Sequence, residues 1–251
     1  MKPRERRNSI AALIDRDGAS SVDALSLRFG VSPETIRRDL ARLADEGAVR
    51  KVHGGARPAT RLHSEASFQE RMAEDTDAKR QIAARLVEEL RSGDTLFIDT
   101  GSTTLVASAT LVEVPGLTII TNSLGIAETL GGRPGAGRVY LLGGAFAPGN
   151  RQTVGPLVME QIGSFQADHA ILTVAALDTE AAMDSDPDEA AVARAMIRSS
   201  SNVIVLATPT KLRRRAAYRV CDLADIDTLI CGVEPAPDIA GALARAGVLV
   251  K

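Results

Sequence analysis

The sequence predicts a chain in two parts: a small, mainly α-helical head of winged helix-turn-helix type, joined to an α/β body built on a largely parallel sheet. Three observations predict it. At 251 residues the chain exceeds the usual size of one domain. Residues 1–57 hold 12 Lys/Arg against 8 Asp/Glu and the remainder 18 against 24, so a basic head precedes an acidic body. Apolar spacing is helical through the head. Beyond residue 94 it becomes a succession of short strand-like runs separated by helical patterns. The expected division is a head over 1–57, an aperiodic linker over 58–67 and a body over 68–251.

In the head, Ile10, Leu13 and Ile14 repeat at helical spacing and stop at Asp17-Gly18. Val22, Leu25 and Phe29 form a second stripe, with Ser21 as N-cap and Gly30 at its C-terminal turn. A third helix starts at Ser32, a good N-cap, with Pro33 in the first position, where a missing N–H costs nothing. Ile36, Leu40 and Leu43 make its buried face.

Two helices joined by a Gly-containing turn describe a helix-turn-helix, whose second helix enters the major groove N-terminus first. Ser32, Glu34, Thr35, Arg37 and Arg38 are therefore candidate DNA contacts, since arginine can grip guanine O6/N7 or clamp phosphate. Asp39 could orient a neighbouring arginine. Ala48–Arg57 then alternates like a hairpin around Gly54-Gly55, and Arg50, Lys51 and His53 make it a basic wing for the phosphate backbone. Any three-helix bundle has caps and exposed arginines. Order, spacing and the basic wing together point to double-stranded operator DNA as partner.

The run Phe29-Gly-Val-Ser-Pro-Glu-Thr-Ile-Arg-Arg-Asp-Leu40, followed by Arg50-Lys-Val-His-Gly-Gly-Ala56, resembles the N-terminal domain of the DeoR family of bacterial regulators. The resemblance implies a sensor body related to sugar-phosphate isomerases, and a repressor relieved by a phosphorylated sugar.

In the body, a long amphipathic stretch from about Phe68 to Leu90 leads into apolar runs at Thr95–Asp99, Leu117–Thr121, Val139–Leu142, His169–Val174, Val203–Leu206, Thr228–Cys231 and Val248–Val250. Strands separated by helices imply a sheet covered on both faces, with ligands bound beyond the strands' carboxyl ends. Asp99-Thr100-Gly101-Ser102-Thr103-Thr104 falls at such an end. Gly101 allows close approach, and the amides and hydroxyls of Ser102, Thr103 and Thr104 suit an anion; an exposed ring of such groups is the expected phosphate site. A Ser/Thr-capped turn would read alike. No Gly-Lys-Ser/Thr closes the loop, which argues against nucleotide hydrolysis.

Further strand ends supply Asn122 and Ser123, suited to hydroxyls or to capping the next helix, and the bare backbone of Gly143 and Gly144. Arg151 could reach an anion or be solvated. Glu189 could bind sugar hydroxyls or favour its helix dipole. Lys211, one of only five lysines, is a phosphate partner just past a strand. The body resembles the family's sensor domain in order, at Glu65–Arg71, Lys79, Asp99–Thr104, Thr121–Ser123, Gly143-Gly144, Glu189, Met196-Ile197 and Lys211. It departs at Thr208 and Gly232, where the family commonly has aspartates, and at Val174-Ala175-Ala176, where a Gly-rich turn is usual.

Three functions follow as expectations: a sugar-phosphate-responsive regulator acting as a homo-oligomer, dimer or tetramer; an aldose–ketose isomerase with an appended head, for which Asp99, Glu189 and Lys211 are the only acid–base candidates; or a DNA binder whose sensor has lost its ligand. The first leads, and no catalytic residue is assigned. Cys221 and Cys231 lack CxxC spacing and are expected as reduced core residues. Three scattered histidines give no metal site, and no cofactor is expected. No apolar run approaches the ~20 residues of a membrane span, and none of signal-peptide type follows the charged start, so the cytoplasm is the expected compartment.

Overall fold

A computed structural model describes residues 2–17, 19–45, 48–52, 54–58 and 65–251. His53 of the wing, and Gly18 at an expected helix end, lie outside the described residues. The chain divides into two compact units, Met1–Leu62 and His63–Lys251.

The first unit runs α1 (Pro3–Asp17), β1 (Ser20–Ser21), α2 (Val22–Phe29), α3 (Pro33–Asp45), β2 (Val49–Val52) and β3 (Gly55–Pro58). The Ser21 hydroxyl accepts the Ala24 N–H at 3.1 Å to start α2, and Gly30 closes it at φ 64°. Ser32 accepts the Thr35 N–H at 3.2 Å to start α3, which leaves the first turn of that helix satisfied by its own sequence. Ile10, Ile14, Leu25, Ile36, Leu40 and Val49 are buried together as the core. β2 and β3 form the expected hairpin, register Val49↔Pro58 to Val52↔Gly55. β3 also pairs with β1, a two-residue strand too short for alternation to mark in the sequence.

The second unit continues with α4 (Phe68–Ala73), α5 (Thr76–Glu88), β4 (Thr95–Ile98), α6 (Ser102–Ser108), β5 (Thr118–Thr121), α7 (Leu124–Leu130), β6 (Arg138–Leu141), β7 (Ala145–Ala147), β8 (Gln152–Val154), α8 (Pro156–Ile162) and β9 (Ala167–Thr173). It ends with β10 (Ala176–Leu177), β11 (Ala181–Asp184), α9 (Pro187–Arg198), β12 (Ser200–Leu206), β13 (Tyr218–Asp222), β14 (Thr228–Ile230), α10 (Pro237–Ala246) and β15 (Leu249–Val250).

The seven apolar runs are the seven strands of one sheet, order β15-β14-β12-β9-β4-β5-β6, parallel at every pairing. Alternate residues feed opposite cores. Leu96, Ile98, Ile119, Ile171 and Ile204 pack with Ile82 and Leu86 of α5 and Ile126 of α7. Phe97, Ile120, Leu172 and Val205 pack with Val158 of α8, Met196 of α9 and Leu243 of α10. Burial on both faces is why the strands read as continuous apolar runs. From β4 the chain winds outward to β5 and β6, then returns through β9 and winds the other way. The β4/β9 boundary is therefore the topological switch point, where such sheets open a crevice at the strands' carboxyl ends.

The amphipathic stretch over 68–90 forms two helices, not one. Asp75 takes a left-handed φ of 50° between α4 and α5. The buried Lys79 ammonium donates to the Arg71 carbonyl and, at 2.7 Å, to that of Glu74, so α4's final carbonyls are satisfied without a further turn. The hairpin β7–β8 and the small antiparallel sheet β10-β11-β13 carry no sequence period: Ala181–Asp184 is buried at all four positions. Cys221 and Cys231 are buried and unpaired. No helix among the described residues is long and apolar enough to cross a membrane.

Candidate functional site

The head presents its charges on α3 and β2. Arg37, Arg38, Arg50 and Lys51 are exposed, as are Ser32 and Glu34. Ser32 and Thr35 hold each other, hydroxyl to hydroxyl at 2.9 Å, and together form the start of α3. Glu34 lies 3.4 Å from Arg37 with both side chains about three-fifths exposed, a pairing worth little in water. Asp39 is different. It is 5% exposed, faces inward and accepts Arg6 Nε at 2.7 Å, with Arg7 at 3.9 Å. The arginine it orients is thus not a helical neighbour but one 33 residues earlier, on α1. This ion pair ties α1 to α3. Asp39→Ala leaves the Arg6 guanidinium, 12% exposed, without its acceptor and is expected to destabilise the head by about 2 kcal/mol. Thermal melting of the variant beside Arg6→Met tests this, and an unchanged melting temperature would refute it.

In the body, the strand ends and the approach to α4 assemble a continuous polar chain. Arg71, on α4, donates to Glu65 and, at 2.7 Å, to Asn150 Oδ1. Lys211, just past β12, donates to the other oxygen of Glu65. Asn150 Nδ2 donates to Glu189 Oε1, which also accepts Gln152 Nε2 at 2.6 Å. Asn122, fully buried past β5, donates to Gln152 at 3.2 Å and to the Thr153 carbonyl at 3.0 Å. Thr100 donates to Asn122 at 3.3 Å, and Asp99 accepts the Thr100 N–H at 2.7 Å.

Charge is segregated along this chain. Burial, with Glu189 and Asp184 close by, holds the Asp99 carboxyl well above the usual carboxylate range. Burial and the Glu65 charge push Asp184 up to about 6. Burial and Asp184 push Glu189 up to about 7. Arg71 and Lys211 stand at the opposite end, gathered on Glu65. The buried Lys79 ammonium has its pKa lowered by burial.

Two adjoining cavities open there. The outer, about 580 Å³, is lined by Glu65, Arg71, Asp75, Thr210, Lys211 and others. The inner, about 20 Å³, shares those residues and reaches Lys79, Ser102, Thr103, Thr173 and Thr208. That is room for about one water.

Of the effector-site residues expected from sequence, Ser102, Thr103 and Lys211 line these cavities, Asp99, Asn122 and Glu189 belong to the hydrogen-bonded chain, and Gly101 lies against Thr173. Gly101 fits only as glycine, because a Cβ would run into the Thr173 methyl. The ring is not exposed, however: Ser102, Thr103 and Thr104 are 7, 4 and 1% accessible. Thr104 bonds back to the Gly101 carbonyl at 3.1 Å. Four further positions belong neither to the chain nor to the cavities. Ser123 caps α7 through the Ile126 N–H. Gly143 has both N–H and carbonyl engaged by Gln161, at 3.1 and 2.7 Å. Gly144 packs on Val158 and Val154, where a Cβ would clash. Arg151 leaves the site for Glu128, donating to both carboxylate oxygens at 2.9 Å from an exposed position. Thr208 turns its hydroxyl to Thr210 at 3.0 Å, and Gly232, two residues past β14, lies at φ 74°, a conformation an aspartate would adopt only with strain.

Sequence reasoning assigned no site role to Glu65, Arg71, Asn150, Gln152 or Asp184. Asn150 and Gln152 flank Arg151, whose charge drew attention from the amides. Asp184 closes an apolar run, Ala181-Ala182-Met183, a carboxylate at a strand end that could have been noticed. Among the described residues no three His, Cys, Asp or Glu form a metal-binding group.

Comparison with known proteins gives a consistent picture. Residues 6–61 match the family model described as a DeoR-like helix-turn-helix domain, and residues 74–232 the one described as a DeoR C terminal sensor domain. The chain is 31% identical over 237 residues to a glycerol-3-phosphate regulon repressor of Escherichia coli, covering 94% of this chain and 93% of that one. It is 32% identical over 251 residues to the HTH-type transcriptional regulator GlpR of Haloferax volcanii (100% and 98%). To the HTH-type transcriptional repressor GlcR of Bacillus subtilis it is 29% identical over 248 residues (99% and 95%). A D-ribose-5-phosphate isomerase in complex with phospho-erythronic acid is similar at 15% identity and TM-score 0.40, over 55% of this chain and 54% of that, a likeness too slight to bear on activity.

Proposed function

The chain belongs to the DeoR family of transcription regulators, and from that premise we propose that it represses a carbohydrate operon and is relieved by a phosphorylated sugar held in its α/β body. It is a regulator and not an isomerase: its relatives along the full chain are transcription factors. The head binds double-stranded operator DNA, with α3 in the major groove and the β2–β3 wing along the backbone.

The single observation that carries the effector reading is the pair of cations, Arg71 and Lys211, on the wall of a cavity of about 580 Å³ adjoining the small inner one that reaches Ser102 and Thr103 after β4 and Thr173 at the end of β9. That volume lies within the range of small-molecule sites, about 300–1,000 Å³. The cations supply the phosphoryl partners. Asn150, Gln152 and Glu189, already linked to Arg71, supply donors and acceptors for hydroxyls. The names of the relatives in Escherichia coli and Bacillus subtilis support repression, and the former a three-carbon phosphate.

The protein works as a homo-oligomer, so that two α3 helices about 34 Å apart meet successive major grooves. A sugar phosphate weakens operator binding by favouring the oligomer state whose heads are wrongly spaced. A coupling of about 1–3 kcal/mol changes operator affinity about 5- to 150-fold. A DNA binder that has lost its effector is the second reading, favoured by Thr208 and Gly232 where the family has carboxylates.

Both are tested by fluorescence anisotropy on the DNA upstream of the protein's own coding region, with a panel of sugar phosphates. The first reading expects one member to release the DNA and Lys211→Ala to abolish that release. If no member changes binding or melting temperature, the second reading replaces the first.

A further inference from the structure

We infer that Glu65 is a built-in counter-ion that occupies the effector's phosphoryl position, and that an incoming phosphoryl group must displace it from Arg71 and Lys211. The inference rests on the sugar-phosphate reading above and adds the means by which occupancy is felt. Glu65 offers one carboxylate oxygen to Arg71 and the other to Lys211. Those are the two cations shared by the inner and outer cavities, and Glu65 lines both. With it in place the inner cavity, on the side of Ser102 and Thr103, holds about one water and no phosphate.

The seat is better suited to a phosphoryl group than to a carboxylate. Arg71 Nε is buried and makes no hydrogen bond among the described residues, a donor left over once Nη1 and Nη2 are used. A carboxylate has two oxygens, both already committed here. A phosphoryl group brings three and a second negative charge.

The consequence lies in the sequence position of Glu65. It stands two residues before Ser67, whose hydroxyl and backbone close a capping box with Glu70 at the start of α4, and it comes after the head in the chain. Releasing Glu65 detaches the first turn of the body from Lys211. Effector binding thereby alters the stretch of chain through which the head is covalently joined. The effector need not touch the head.

The test uses the full chain and inorganic phosphate as probe, by calorimetric titration. Wild type, Glu65→Gln, Lys211→Ala and the double variant are compared, with Glu65→Ala as a second substitution should Gln alter folding. Glu65→Gln is expected to bind phosphate at least ten-fold more tightly than wild type, and Lys211→Ala to remove binding in either background. In wild type, phosphate is expected to speed hydrogen exchange across residues 65–73 while slowing it across 102–108. Lys211-dependent phosphate binding that is no tighter in both Glu65 variants, or unchanged exchange at 65–73, overturns the counter-ion and leaves the sugar-phosphate reading standing. Binding that is absent throughout, or indifferent to Lys211, overturns both.

Discussion

Replacing Arg37 and Arg38 together by alanine is expected to lower operator affinity by about 30- to 20,000-fold, the sum of two contacts worth about 1–3 kcal/mol each. Both side chains are exposed on α3, whose opposite face, Ile36, Leu40 and Leu43, is buried in the head's core. The loss therefore falls on recognition rather than on folding, and the melting temperature should move little. The pairing of Glu34 with Arg37, exposed on both sides, contributes too little to confuse the result. Single variants separate the roles. An arginine gripping guanine relaxes specificity at one base pair. An arginine on phosphate weakens all sequences alike and lowers the salt slope by about 1. Anisotropy at several salt concentrations with wild-type and mutated operators measures both. A double variant that binds its operator like the parent would remove α3 from the interface.

The second large effect is on stability against pH. Glu189 is raised from an ordinary 4.5 to about 7, and Asp184 from 3.8 to about 6, both chiefly by burial. Between those limits the folded protein holds protons that the unfolded chain has released, so these two groups make stability fall as pH rises through about 4 to 7, and the raised Asp99 carboxyl adds to the fall. At about 1.4 kcal/mol per pKa unit, Glu189 alone contributes about 3 kcal/mol to that fall. Because it and Asp184 repel each other, their contributions do not simply add. A unit of this size should melt about 6–12 °C higher near pH 5 than near pH 8.

Glu189→Gln is the decisive comparison, because its remaining oxygen still accepts from Asn150 and Gln152. At pH 8 the variant should melt above the parent, and at pH 5 the two should converge. Calorimetry showing no gain at pH 8 would mean that Glu189 is ionised in the folded protein at little cost.

Much of this molecule is legible in order along the chain. Ser21, Gly30, Ser32 and Pro33 mark helix ends because caps act within one turn, and each does its expected work locally. The seven strands are legible because a sheet covered on both faces admits only apolar residues for several positions in a row. The break at Asp75 was not legible: it depends on the Lys79 ammonium returning to carbonyls of the preceding helix. Asp39 shows the same limit, as the arginine it holds lies on another helix.

The site divides along the same line. Sequence by itself determined the helix-turn-helix head, the α/β body, and the strand ends at which polar residues must collect, because these follow from periodicity and from side chains within a few residues of one another. Only the tertiary structure decided which of those residues meet. It sent Arg151 to Glu128, tied Gly143 to Gln161, and drew Glu65, Arg71, Asn150 and Lys211 into one chain from segments as much as 146 residues apart. The physical reason is that ion pairs and side-chain hydrogen bonds depend on distance in space, and the winding of the sheet from its switch point sets that distance.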